Sequence, residues 1–249
     1  MSDALKTLRE PKWLTMLLLL PVAMGLCVVA ANWQYQRHVV RSAQEQRLAA
    51  SREAAPLPVA DVLSPASPLP PDRRYTLVTV TGTYEPQPVL IRNRPLNSER
   101  GMWVVNPLQT ADGTQVLVLR GWMPATPDTV NAPQIPAAPT GTVTVTGALQ
   151  PSEAKRGPGI LSNGEATSLD TAILCPDPSC YQAFIQMTSS VPPDSLKVVP
   201  VQGPGLGPHL GYAGQWLIFA ALLPVGFVIL LRRQVREDRQ RADAPTASG

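Results

Sequence analysis

His209-Leu-Gly-Tyr-Ala-Gly-Gln-Trp216 runs straight into an uncharged segment that ends at Leu231. Tyr212, Gln215 and Trp216 follow the histidine at i+3, i+6 and i+7, so on a helix all four fall on roughly one face. Histidine, glutamine and tyrosine are costly in hydrocarbon unless they face a partner, so this opening predicts an interaction surface at the doorstep of a membrane span. The uncharged run from Leu210 to Leu231 covers 22 positions, and a second, from Trp13 to Gln36, covers 24. About 20 such residues cross the hydrocarbon core as a helix. Two transmembrane helices are therefore predicted, at 13–36 and 209–231. A cleaved signal peptide competes for the first run, but that run is long for an h-region and no small-x-small cleavage site stands out.

Charge sets the expected orientation. The net charge of +3 sits in the tails: residues 1–12 carry Lys6, Arg9 and Lys12 against Asp3 and Glu10, and residues 232–249 carry Arg232, Arg233, Arg236, Arg239 and Arg241 against Glu237, Asp238 and Asp243. Residues 37–210 balance 13 basic against 13 acidic side chains. The positive-inside rule then predicts cytoplasmic termini and an external central region, a vote weakened by Arg37, Arg41, Arg47 and Arg52 just beyond the first helix. Tail 1–12 is too short and too acidic for a mitochondrial transit peptide, so the expected home is a bacterial plasma membrane. No basic patch is large enough to predict a nucleic-acid partner.

Between the spans, residues 37–55 have a helix-forming composition and are expected to extend the first helix. Residues 56–71 contain six prolines and read as a stiff, extended linker rather than a packed element. Residues 72–208 then read as an extracytoplasmic β domain. Leu77–Tyr84, Val89–Arg92, Met102–Asn106, Gln115–Arg120 and Thr142–Leu149 are predicted strands, with Gly82 as a bulge and Ala111-Asp-Gly-Thr as a hairpin turn. Tyr181–Met187 and Leu196–Val201 are shorter candidates, residues 124–140 read as Pro-rich coil and 151–172 as loop. The expected fold class is thus α+β: two transmembrane helices flanking one mainly antiparallel β domain, a small barrel or sandwich.

Three cysteines are present. Cys27, inside the first span, reads as a small packed residue. Cys175-Pro-Asp-Pro-Ser-Cys180 reads as a local disulfide in an oxidising compartment. Free thiols or a metal site compete, although C-x-x-C spacing and a nearby histidine are missing. Copper delivery through this pair is the corresponding functional alternative.

Enzymatic chemistry finds little support. With only two histidines, a nucleophile–base pairing would have to use His38 or His209. The run Gly203-Pro-Gly-Leu-Gly-Pro lacks the pattern of a phosphate loop, and no zinc spacing occurs. No catalytic set is predicted. Both histidines fall at the outer membrane face, where either is a plain interfacial residue or an axial ligand for a haem iron. In the second reading, Arg92, Arg94 and Arg120 are candidates to meet the haem propionates.

Several motifs occur in order: Trp33-Gln34-Tyr35-Gln36-Arg37, Val80-Thr-Gly82-Thr-Tyr84, Ile91-Arg-Asn-Arg94, Gly101 followed by Trp103-Val-Val-Asn-Pro107-Leu108, Asp112-Gly113, Val118-Leu-Arg120-Gly121-Trp122-Met-Pro124, and His209 to Trp216. Together, between two membrane spans, they resemble the Surfeit-locus family of cytochrome c oxidase assembly proteins. The sequence departs from that pattern at Ala31, where a glycine is usual, in its long Pro-rich linker and in its cysteine loop. The resemblance implies a non-enzymatic factor that helps build the haem a-containing subunit, with His209 as the metal ligand. The candidate set for haem a is His209, Tyr212, Gln215, Trp216, Trp33, Gln34 and Arg37. Trp33, Tyr212 and Trp216 would contact the ring, and Gln34 and Gln215 would orient the site between the helices. His38 is a candidate second ligand. The expected partners are the catalytic subunit of a haem-copper oxidase and the lipid bilayer. The alternative is a scaffold that holds the nascent subunit without binding haem.

Overall fold

The computed structural model describes residues 3–125, 134–161 and 164–243. Parts of the expected 124–140 coil, the 151–172 loop region and both tails therefore lie outside the described residues. The chain forms two compact units, residues 1–43 with 204–249, and residues 44–203.

The first unit is helical. A short α1 (Asp3–Leu8) precedes α2 (Pro11–Glu53). Three further helices follow: α3 (Val59–Val62) and α4 (Thr171–Leu174) in the second unit, and α5 (His209–Asp243) in the first. α2 is one unbroken helix of 43 residues, about 65 Å at 1.5 Å per residue and so longer than one hydrocarbon thickness. α2 and α5 are both long and apolar enough to cross a membrane. Their apolar side chains face outward, with Leu18, Leu26 and Val29 among the most exposed residues of the first unit. A water-soluble helix does the reverse. Small side chains line the buried seam: Cys27 and Ala31 on α2, Ala213 and Ala220 on α5. Trp13 is buried and meets Phe227 edge-to-face at 5.6 Å.

The second unit is a closed sheet. Its strands are β1 (Leu57–Pro58), β2 (Leu77–Tyr84), β3 (Val89–Ile91), β4 (Gly101–Thr110), β5 (Gln115–Pro124), β6 (Val143–Pro151) and β7 (Cys180–Val191). Their order is β1-β2-β6-β7-β5-β4-β3, and β2 also pairs with β4. The pairings β2–β6–β7–β5–β4–β2 form a ring, which makes the sheet a small barrel. Pairing is antiparallel except at β1–β2 and β5–β7. β5 explains its own continuous apolar run. Val116 and Val118 enter one buried cluster with Val80, Val145 and Ile185, while Leu117 and Leu119 enter a second with Ile91, Leu169 and Phe184. A strand covered on both faces has no polar alternation.

Four expectations are corrected. Gly82 is no bulge: it pairs in register with Val143 of β6 and Thr110 of β4, where the ring closes. A Cβ there would lie 2.3 Å from the Gln109 carbonyl oxygen, so only glycine allows the strands to meet. Residues 196–201 form no strand beyond an isolated Trp122–Lys197 bridge; Pro200 in this segment has no N–H to donate to a ladder. The 56–71 linker is packed rather than merely extended, because α3 carries Val59 into the core and Leu63 follows it. Arg120, a candidate to meet haem propionates, is fully buried. Its Nε donates to Asp194 Oδ2 at 2.7 Å, its Nη2 to Asp194 Oδ1 at 3.2 Å, and its Nη1 to Asn106 Oδ1 at 3.2 Å.

The helix α4 (Thr171–Leu174) is capped by Asp170, whose carboxylate accepts from the Ala172 N–H at 3.1 Å. It leads to Cys175, which forms a buried disulfide with Cys180 at the start of β7. Sulfurs joined in this way are not thiol ligands, so the copper reading loses its donor pair.

Candidate functional site

The polar residues of the first unit converge where α5 begins. His209 is the first residue of α5 and is half-buried. Its Nδ1 lies 2.8 Å from Gln34 Oε1 on α2. An amide oxygen only accepts, so Nδ1 carries the proton and Nε2 keeps its lone pair free. This tautomer presents Nε2 to a metal, with the other ring nitrogen steered by a hydrogen bond.

The approach to Nε2 is kept open by a glycine. Gly207 has φ +61°, and a Cβ there would sit 3.3 Å from His209 Nε2 and 3.2 Å from Arg41 Nη1. Arg41 in turn donates to the carbonyls of Pro204 and Gly205, at 3.3 and 3.4 Å. That guanidinium fixes the turn that delivers the chain to His209. His38 lies one turn beyond Gln34 on α2. Its Nε2 is 3.5 Å from Ser42 Oγ, and its Nδ1 is buried without a hydrogen-bond partner among the described residues.

The remaining candidates lie outside this seam. Trp33 and Tyr212 are about half exposed and Trp216 slightly less. The Arg37 guanidinium stands over the Trp33 ring at 5.0 Å, and Trp216 meets Phe219 edge-on at 5.8 Å. Ala213, at i+4 from His209, takes the buried position, and helix geometry turns Tyr212 to one flank and Gln215 to the far side. Gln215 is exposed, so the orienting role expected of it between the helices falls to Gln34. Arg41 and Gly207 were not among the predicted site residues. Arg41 stood out only as a charge against the topology, and Gly207 only as part of a glycine run without a phosphate-loop pattern.

The arginines expected to meet propionates are already engaged within the second unit. Arg120 is buried in its ion pair. Arg94 pairs with Glu153 and stacks on Trp103 at 4.1 Å. Arg92, nearly half exposed, stands 4.0 Å from Glu165.

The sequence model of the SURF1 family matches residues 21–221. Uncharacterized SURF1-like proteins of Mycobacterium bovis and of two strains of Mycobacterium tuberculosis are 28% identical to it over 253 residues, spanning 96% of this chain and 90% of theirs. The matched region contains both ends of the His209–Gln34 contact.

Proposed function

The chain belongs to the SURF1 family, and from that premise we propose that it is an assembly factor for a haem-copper cytochrome c oxidase that holds haem a and aids its insertion into the catalytic subunit. It works in a bacterial plasma membrane. α2 and α5 cross the bilayer, both termini are cytoplasmic and the barrel is extracytoplasmic. The basic tails support this orientation, since Arg232, Arg233, Arg236, Arg239 and Arg241 follow the apolar part of α5.

The observation that carries the haem reading is the hydrogen bond between His209 and Gln34. It places the proton on Nδ1, and Gly207 sets no side chain against the Nε2 edge. The exposed rings of Trp33, Tyr212 and Trp216 offer apolar surface beside it for a macrocycle. One axial imidazole suits a cargo that must be released. The chain's own work is to bind, orient and give up the haem, so no catalytic residue is assigned.

The test is an absorption spectrum of the full-length protein purified from haem a-producing cells. A Soret band that co-elutes with the chain and is lost in His209→Ala supports the proposal. A folded wild-type protein with no Soret band that still captures the oxidase subunit points to the scaffold.

A further inference from the structure

The second unit carries a polar hollow of about 460 Å³ that the haem reading does not use. Its floor is a pair of buried glutamines. Gln150 is 6% and Gln186 7% exposed, so their amides must be satisfied within the protein. They are: Gln150 Nε2 donates to Gln186 Oε1 at 3.1 Å, and Gln186 Nε2 donates to the Val199 and Pro200 carbonyls, each at 3.1 Å. This chain of donors leaves Gln150 Oε1 as an acceptor, and it receives Arg74 Nε at 3.3 Å.

Arg74 is therefore held at the wall of the hollow on two sides. Its Nε is bound to Gln150, and one face of its guanidinium lies 4.8 Å from the Tyr75 ring centre. Neither contact uses the two terminal nitrogens, which make no hydrogen bond or ion pair among the described residues. The other charges of the hollow cancel. Glu153 pairs with Arg94 and also accepts the Leu169 N–H at 2.8 Å. Arg74 thus leaves one uncommitted positive charge with its two-pronged edge free. Trp103, Phe184, Leu96 and Pro200 supply apolar surface in the same hollow.

We propose that this hollow binds a carboxylate borne on a short apolar stem, with Arg74 as the recognising group. A guanidinium edge matches the two oxygens of a carboxylate, and its orientation here is fixed in advance. A phosphate dianion would leave charge uncompensated against a single free cation. The carboxylate can come from an acidic side chain of a partner polypeptide or from a free organic acid. This inference does not rest on haem binding at His209.

The experiment titrates full-length protein in detergent micelles, with ¹⁵N-labelled tryptophan, and follows the indole N–H of Trp103. The probes are N-acetyl-Leu-Glu-Leu-amide, the same peptide with glutamine for glutamate, and hexanoate. The Glu peptide is expected to shift the Trp103 signal saturably and to bind at least about tenfold tighter than the Gln peptide, the scale of a hydrogen bond to a charged group. Arg74→Gln is expected to remove that preference, and Arg92→Gln to leave it unchanged. Hexanoate as tight as the Glu peptide assigns the site to free acids; much weaker hexanoate assigns it to protein chains. Equal binding of the Glu and Gln peptides, or no shift with either carboxylate, overturns the proposal. The peptide comparison uses the wild-type protein, so it holds even where Arg74→Gln fails to fold.

Discussion

Gln34 and His209 stand 175 residues apart in the chain and 2.8 Å apart in space. The contact joins the two apolar helices through polar groups, and it sets the proton on the ring nitrogen that faces Gln34. Replacing Gln34 by leucine removes the acceptor while keeping the volume roughly constant. Haem affinity is then expected to fall about 10–100-fold, the usual effect of losing the group that orients a metal-binding histidine. Haem retention of Gln34→Leu against wild type, measured by absorbance per chain, checks this. Retention equal to wild type would show that the contact does not serve the site.

The Arg120–Asp194 pair makes a stability prediction. Both side chains are almost wholly removed from solvent, at 0% and 2% exposure. Asp194→Ala leaves a buried guanidinium without its counter-charge. The expected loss is about 3–5 kcal/mol, read from denaturant unfolding of the β unit. Arg92→Ala, which breaks an exposed contact, is expected to cost under about 1 kcal/mol. Similar losses in the two variants would contradict the assignment of Arg120 as a core residue.

Closure of the barrel rests on Gly82 and Gly147. An added Cβ would lie 2.3 Å from the Gln109 carbonyl oxygen at the first and 2.4 Å from the Gln186 carbonyl oxygen at the second. Both neighbours are backbone, which cannot swing aside. Each glycine-to-alanine change is expected to destabilise the unit by at least about 1–3 kcal/mol, the range for overpacking. Urea midpoints measured at constant m-value provide the check.

Tyr84 predicts an alkaline limb of stability. Burial raises its phenol pKa, and the nearby Asp194 carboxylate adds to that, against a smaller opposing effect of Arg120. The folded state therefore keeps its proton above pH ~10, where the unfolded phenol gives it up. Stability from this group is full below that pH and is lost as pH rises from there toward the folded pKa. Tyr84→Phe forgoes only a long O–H···S contact to Met187 and is expected to flatten this limb. An unchanged slope between about pH 9 and 11 would contradict it.

These features differ in how far the sequence foretells them. The two uncharged runs and the Val-Thr-Val-Thr alternation are local signals, and the helices and β2 and β6 follow from them. Barrel closure is not local. It depends on β2 pairing with β4 past Gly82, and on β5 lying parallel to β7, more than 60 residues later in the chain. Arg120 looked available to a haem propionate because its partner Asp194 is 74 positions away. Val59 and Leu63 were hidden by the prolines around them, which suggested a spacer. At the candidate site, the positions of His209 at the start of one apolar run and of Gln34 near the end of the other were readable, but their contact across 175 residues was not. Gln215 was grouped with His209, although a step of about 100° per residue carries i+6 roughly 120° away around a helix.

The most direct test of the account is the haem content of full-length wild-type and His209→Ala proteins purified side by side from haem a-producing cells. The account predicts a Soret band in the wild type, its loss in His209→Ala, and the same thermal unfolding of the β unit in both. A His209→Ala protein that keeps its full haem a content would contradict it.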